Sequence, residues 1–390
     1  MRILHVITSI NRGGAENHLV ELVRGQRAGG HQVAVAYLKG DGYWHGLLES
    51  LGCEVKALGL RFYGDLRPLV VLRLLIKSFA PEVLHAHMPP AELYTALARQ
   101  GLVSTPMVIS KHNDEPFYRG PGERWLTEWV ARQASSVVAI SGAVNRYFAG
   151  AYRTVAPKLR TIHYGIEAQA FAQVDTAAVA ALRAEWGVTS HEVLIGTVAR
   201  LAPHKALHVL IDGFARFLRD GGAEARLVLV GRGPLEASLR ELCERHRLGD
   251  RVVFAGYRED VPTCMHAFDV FALSSIYEGF GLVLIEAMAA GKPVIATAVS
   301  AIPEIVVPDE TGVLVPSADD QAFAQAIAKL SDAAMRERLG RKGRQRVMEH
   351  FDQGPMVERT LSLYQELTMI VPIADQEARH DAIANLGEVK

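Results

Sequence analysis

A chain of 390 residues is too long for one ordinary hydrophobic core, so two domains are expected. Its 49% hydrophobic and 22% charged residues fit a globular, soluble protein, and a formal net charge of −1 excludes an overall field that draws the chain to nucleic acid. The charge is uneven: residues 1–165 hold 19 Lys/Arg against 12 Asp/Glu, a net of +7, which leaves −8 for the remainder. A basic first half suits an anionic partner, although surface composition alone produces such a difference as readily.

The opening "MRILHVITSI" is apolar but short, and "NRGGAE" follows without a small-residue cleavage site, so it does not read as a signal peptide. No uncharged run reaches the roughly 18 residues of a membrane span. Cys53, Cys243 and Cys264 have no metal-binding spacing and suit a reducing compartment. A cytoplasmic protein is expected, with peripheral contact at the cytoplasmic membrane face left open.

In chain order, "RILHVITS", "QVAVAYL", "VLHAHM", "PMVISKH" and "SVVAIS" read as buried strands, each bounded by polar, Gly or Pro punctuation. Helix-length stretches lie between them. "AENHLVELVRGQRAGG" is one, closed by glycines where a helix C-cap belongs. Strand–helix alternation predicts an α/β fold with a parallel sheet covered on both faces. The turn "NRGGAE" lacks the G-x-G-x-x-G spacing, yet Gly13-Gly14 permits close approach of a phosphate or sugar at a helix N-terminus. A tight turn with no ligand is as fair a reading.

"LRPLVVLRLLIKSF" and "EPFYRGPGERWLTEWVARQ" mix apolar or aromatic residues with basic ones, Phe117, Tyr118, Arg119, Arg124, Trp125, Trp129 and Arg132 in the second. Such segments grip a bilayer interface or a lipid headgroup. Helices that pack these side chains inward are the favoured reading. His85 and His87 flank Ala86, and His112 ends "PMVISKH". The reading sets His85 and His87 on opposite faces of the strand, awkward for a shared metal, and expects no metal site. His112 reads as a hydrogen-bonding group at a cleft, or as a satisfied structural histidine.

The second half restarts the pattern with "EVLIGTVAR", "RLVLVGRG", "VVFAGY", "VFALSS" and "KPVIAT" as strands. The stretch 166–190 has no strong strand and is taken as the domain linker. The domains are therefore 1–170 and 185–350. A late helix lies near 351–370, and 371–390 is expected to be a loosely ordered tail.

Ligands of open parallel sheets bind beyond the carboxyl ends of the strands, and two such domains facing each other make a deep cleft. Arg200 ends a strand and Lys205 precedes a helix, so both emerge at that edge; one bidentate Arg and one Lys neutralise a diphosphate. "IYEGF" is a turn between strand and helix, with Glu278 in the turn and Glu286 on the second helical turn. Gly279 and Gly281 allow close approach, the helix N-terminus favours an anion, and an ionised carboxylate accepts from sugar hydroxyls. A turn with two solvated glutamates, or a pair of surface cations, fits each spacing taken alone.

Glu278 and Glu286 form the E-x7-E pattern of the retaining GT-B glycosyltransferases, and the chain resembles glycosyltransferase family 4. "GGAE", "LHAHM", "SKHND", "VVAISGAV", "TIHYGIE", "GTVARLAPHK", "LVLVGRGP", "VVFAGYRED" and "YEGFGLVLIEAMAAGKPVIAT" carry the resemblance over nearly the whole chain, in order. It implies two Rossmann-like domains facing a cleft, with the late helix crossing back to the first. It also implies roles: Glu286 on the donor ribose, Arg200 and Lys205 on the diphosphate, and Glu278 on the transferred sugar. The backbone at Phe280, Gly281 and Leu282 would contact sugar and distal phosphate, and Gly14 the diphosphate from the opposite domain. His112 would lie beside the reacting carbon, and Gly231 and the segment around Arg258 near the base.

The implied reaction is glycosyl transfer with retention, without a cofactor and usually without a metal. The donor is a nucleoside-diphosphate sugar, UDP-hexose or UDP-N-acetylhexosamine being favoured. The acceptor is a glycan or glycolipid, with lipid-linked glycans of bacterial surface polysaccharide favoured; lipopolysaccharide and capsule belong to this class. A nucleotide-sugar epimerase, a sugar phosphorylase and a non-catalytic nucleotide-sugar-binding protein are the alternatives.

Overall fold

The computed structural model describes residues 1–102, 105–113, 122–222 and 224–369. They divide into two units, Met1–Gly165 with the chain from Gln353 onward, and Ile166–Asp352. Each unit is a parallel sheet with helices between its strands, which is two Rossmann-like α/β folds in succession.

The first unit holds seven strands: β1 (Arg2–Ile7), β2 (Gln32–Tyr37), β3 (Glu54–Ala57), β4 (Val83–His87), β5 (Met107–Lys111), β6 (Ser136–Ala139) and β7 (Leu159–Thr161). Their spatial order is β3-β2-β1-β4-β5-β6-β7, so the chain reverses direction across the sheet between β1 and β4. There His5 pairs in register with His85, and Ile7 with His87. Every residue of β4 and β5 is buried, as a strand covered on both faces requires. The helix Gln353–Met369 packs against the helix Gly14–Ala28 and adds Met356, Val357, Leu363 and Tyr364 to the core around Ile3, Val83 and Val108. The fit is tight, because a Cβ built at Gly25 would stand 2.4 Å from a Val357 methyl.

The second unit holds β8 (Val193–Val198), β9 (Ala225–Val230), β10 (Val252–Gly256), β11 (Val270–Leu273), β12 (Val294–Thr297) and β13 (Gly312–Val315), in the order β10-β9-β8-β11-β12-β13. Here the switch lies between β8 and β11, where Val270 pairs with Ile195. The helices Leu207–Arg219 and Asp320–Lys329 pack closely enough that a Cβ at Gly213 would lie 2.6 Å from that of Phe323.

The stretch 166–190 is not a free linker. Ile166 bridges to Asp352, and the helix Thr176–Glu185, N-capped by Asp175, packs against the helix Val261–Ala267. Trp186 is buried and stacks on Phe268 at 5.8 Å. This stretch lacks a strand but carries an apolar helical face, so it joins the second unit. The chain crosses between units at Gly165–Ile166 and Asp352–Gln353.

The segments expected to pack inward do so only in part. In the helix Arg67–Phe79, Leu72, Leu75 and Ile76 are buried, but Val70 and Leu74 are 60% and 61% exposed and Leu66 before them 69%. Trp125 is also exposed, whereas Trp129 is half-buried; Phe117, Tyr118 and Arg119 lie outside the described residues, as does the tail 371–390.

Candidate active site

In the second unit, the turn that carries Lys205 is stitched to the end of β11. Ser274 Oγ donates to the Lys205 carbonyl at 2.8 Å, and the Ile276 amide donates to the His204 carbonyl at 2.8 Å. The connection places the Lys205 ammonium 2.5 Å from Glu278 Oε2, with both side chains largely buried. Ser275 Oγ donates to the same oxygen at 3.1 Å, and Thr297 Oγ1 holds the Ser275 carbonyl at 2.6 Å. Glu278 Oε1 has no hydrogen-bond partner among the described residues. A buried carboxylate tied on one oxygen only is ready to accept from a ligand hydroxyl on the other.

The helix Leu282–Ala289 begins at Gly281, whose φ of +106° is left-handed and suits glycine. A Cβ there would also lie 3.4 Å from Glu278 Cγ. No side chain caps this helix; the Leu284 amide donates to the Gly281 carbonyl at 2.9 Å, and the Leu282 and Val283 amides remain donors. Phe280 is buried with its ring 5.8 Å from that of Phe351, which fixes the turn. Glu286 follows on the second turn, half-buried and without a hydrogen bond or ion pair among the described residues. Burial raises its pKa to about 7. Arg200 lies two residues beyond β8, exposed, with no ion pair among the described residues.

Gly231 and Arg258 have structural duties of their own. A Cβ at Gly231 would stand 2.0 Å from the Ala199 carbonyl oxygen, so its φ of +139° lets the loops after β8 and β9 meet. The Arg258 guanidinium is spent on Asp260, in two bonds of 2.9 Å, and on Glu185 at 2.9 Å. It fastens the helix Thr176–Glu185 to the loop after β10 and offers no uncompensated charge.

In the first unit, Gly14 opens the helix Gly14–Ala28, and Glu16 in its first turn lies against Gly13. Ser9 Oγ donates to Glu16 at 2.9 Å, and burial raises the pKa of this carboxyl.

His85 and His87 occupy the same face of β4, contrary to the sequence reading, because side chains two apart on a strand point the same way. Their rings are 4.1 Å apart, and His5 of β1 joins them at 5.3 Å from each. The three offer nitrogens within 4.8 Å of one another, a spacing that suits a metal ion. Every one of these nitrogens already has a hydrogen-bond partner, however. His5 uses His87 and Gln26, His85 uses Tyr364 and Ser110, and His87 uses His5 and His112. The cluster extends to His112, half-buried just beyond β5, and its Nδ1 meets the Tyr164 hydroxyl. His18 stacks on Tyr164 at 4.1 Å. Desolvation dominates every shift, lowering His5 to about 4 and His112 to about 3, with His18, His85 and His87 well below the ordinary value. All five are neutral imidazoles at pH 7. His5, His18, Gln26 and Tyr164 are not singled out by the sequence reading, since a lone histidine in an apolar run resembles core.

The family description Glycosyltransferase Family 4 matches residues 12–170, and that of Glycosyl transferases group 1 matches residues 179–346. The chain is similar to the alpha-maltose-1-phosphate synthase of Mycobacterium tuberculosis, 30% identical over 320 residues that cover 74% of this chain and 80% of that one. It is also similar to the N-acetyl-alpha-D-glucosaminyl L-malate synthase of Bacillus anthracis, 27% identical over 293 residues, 73% and 75% of the two chains. Among solved structures, Anabaena HepE in complex with UDP-glucose matches with a TM-score of 0.83 and 25% identity, covering 94% of this chain and all of that one.

Proposed function

Because this chain belongs to glycosyltransferase family 4, among the GT-B transferases, we propose that it moves a hexose or N-acetylhexosamine from a UDP-sugar to a lipid-linked glycan, with retention and without a metal. The observation that carries the donor side is Glu286. It is a desolvated carboxylate with no partner among the described residues, on the second turn of an uncapped helix, and the Lys205–Glu278 pair flanks the same turn. A ribose diol supplies the donors that Glu286 lacks, and the first amides of the helix suit phosphate oxygens. The UDP-glucose bound by HepE and the N-acetylglucosaminyl group in the name of the Bacillus anthracis relative support the sugar class.

In the proposed reaction the bond from the anomeric carbon to the diphosphate breaks. The acceptor oxygen attacks from the departing side and passes its proton to a leaving phosphate oxygen. Lys205 and Arg200 stabilise the charge that grows on the diphosphate, and two cations at one sheet edge supply what a metal would otherwise provide. Lys205 also anchors Glu278, which accepts from the transferred sugar through Oε1. His112 is read as the group beside the reacting carbon of the sugar.

The acceptor reading rests on the helix Arg67–Phe79. Leu66, Val70 and Leu74 recur at four-residue spacing and form one exposed apolar stripe, with Phe62 64% exposed in the loop before it. Arg61, Arg67 and Lys77 are exposed around it, and Asp65, the one carboxylate between residues 61 and 79, is buried and paired with Arg67. An apolar stripe with a cationic rim complements an anionic bilayer. No helix among the described residues is long and apolar enough to cross a membrane. The decisive experiment is incubation of the protein with radiolabelled UDP-glucose or UDP-N-acetylglucosamine and a membrane extract. Label in lipid supports the reading; an isomerised free donor, or binding without turnover, overturns it.

A further inference from the structure

The histidines of the first unit form a line of hydrogen bonds with one end in the core and the other at His112. His5 Nε2 lies 2.9 Å from Gln26 Oε1, His5 Nδ1 lies 3.0 Å from His87 Nε2, and His87 Nδ1 lies 3.2 Å from His112 Nε2. The Tyr164 hydroxyl meets His112 Nδ1. His5, His87 and Gln26 are completely buried, so water does not substitute for the partners of His5 and His87.

A neutral imidazole has one nitrogen that donates and one that accepts. An amide oxygen only accepts. Gln26 turns Oε1 to His5 and leaves its Nε2 without a partner among the described residues; in this orientation of the amide, His5 carries its hydrogen on Nε2. His5 Nδ1 then accepts from His87 Nε2–H, and His87 Nδ1 accepts from His112 Nε2–H. That leaves His112 Nδ1 to accept from the Tyr164 hydroxyl. One amide oxygen thus fixes the direction of four successive hydrogen bonds, each of which polarises the next. Burial keeps the imidazoles neutral, which the one-way order requires.

We propose that Gln26, acting through His5 and His87, is a positioning residue that holds His112 in the Nε2–H tautomer and in one ring orientation. Gln26 belongs to the helix Gly14–Ala28, two turns from His18, which stacks on Tyr164 at the far end of the line. The same helix therefore braces both ends. The pairing places the proton of each of the three imidazoles in the line, His5, His87 and His112, without adding a charge to them. The inference deepens the reading of His112 as a reacting-side group, but its test does not depend on that reading, because it needs neither donor nor acceptor.

The test is long-range proton–nitrogen spectroscopy on the intact chain carrying 15N-histidine at pH 7.5, with His112 assigned by its loss in His112→Gln. The expected result is the Nε2–H pattern at His112. An Nδ1–H pattern there means that the line runs the other way and overturns the proposal. Gln26→Met, of similar volume, removes the accepting oxygen and is expected to spread His112 over both tautomers, while Gln26→Glu keeps an acceptor and the Nε2–H pattern. A His112 signal unchanged in Gln26→Met also overturns the proposal. Should Gln26→Met not fold, the wild-type pattern and Gln26→Glu still decide it.

Discussion

The first unit buries five neutral imidazoles against β1 and β4, beside a buried Lys111–Glu92 ion pair, whereas the Lys205–Glu278 pair of the second lies at the carboxyl edge of β8 and β11. The two arrangements carry opposite electrostatic costs. In the first, protonation is the disruptive event, because it places positive charge among five packed rings. In the second, ionisation of Glu286 is the strained event, because burial disfavours its anion. Both occur at a topological switch of a parallel sheet. What differs is whether the diverging strands enclose a closed polar network or leave groups facing outward for a ligand.

The largest expected effect separates the units by function. Lys205→Ala removes the cation beside the leaving group and should lower sugar transfer from the UDP-sugar that serves as donor by roughly 10²–10³-fold, as loss of a key charge-stabilising group does. The Nε2–H signature of His112 should be untouched. A variant that retains wild-type turnover removes Lys205 from the chemistry.

The pH dependence of stability comes next, and its sign differs between units. The histidines titrate lower in the folded chain, His5 near 4 and His112 near 3, against an ordinary value of 6.5. Above 6.5 both states are neutral and the full stability is present. As pH falls from 6.5 towards 4, the unfolded chain takes up more protons and stability drains from the first unit. Glu286 titrates higher when folded, near 7 against 4.5, so its contribution weakens the second unit as pH rises across that window. Hydrogen exchange on the whole chain should show β1 and β4 amides losing at least tenfold in protection between pH 7.5 and 5. Amides of the helix Leu282–Ala289 should not follow. Equal losses in both sets contradict the comparison.

A smaller effect concerns donor affinity. Glu286→Gln should weaken UDP-glucose binding by about tenfold, the worth of a charge-assisted hydrogen bond. It should also flatten the rise in affinity expected between pH 6 and 8 as the wild-type carboxylate ionises; isothermal titration at several pH values reads both. The smallest effect belongs to the exposed helix face of the first unit. Leu66→Asp with Leu74→Asp should cut co-sedimentation with vesicles of anionic phospholipid by several-fold and leave UDP-glucose binding unchanged. If binding to vesicles persists, the membrane lies elsewhere; if the variant instead dissociates a dimer, the stripe joins two copies.

The central strands were legible because burial on both faces leaves continuous apolar runs. Edge strands β3 and β7 were not, since Glu54, Lys56, Arg160 and Thr161 face solvent and break that signal. The positions of Glu278 in a glycine turn, Glu286 on the second turn of the following helix and Lys205 between a strand end and a helix could be read, because turn and cap signals are local. The Glu185 partner of Arg258 could not, as it is distant in sequence and the salt bridge forms only when the helix Thr176–Glu185 packs against the helix Val261–Ala267. The histidine line was hidden for the same reason, with Gln26 drawn from a helix, His5 from the interior of β1, His87 from the end of β4 and His112 from just beyond β5. Assigning His85 and His87 to opposite faces concealed it further, although the two-residue repeat of a strand contained the right answer.

The most direct measurement is hydrogen exchange of the full chain with and without saturating UDP-glucose. The account predicts slowed exchange in the turn after β8 around Lys205 and from Glu278 through the helix Leu282–Ala289. Unchanged exchange in both segments, with protection confined to other parts of the chain, would contradict it.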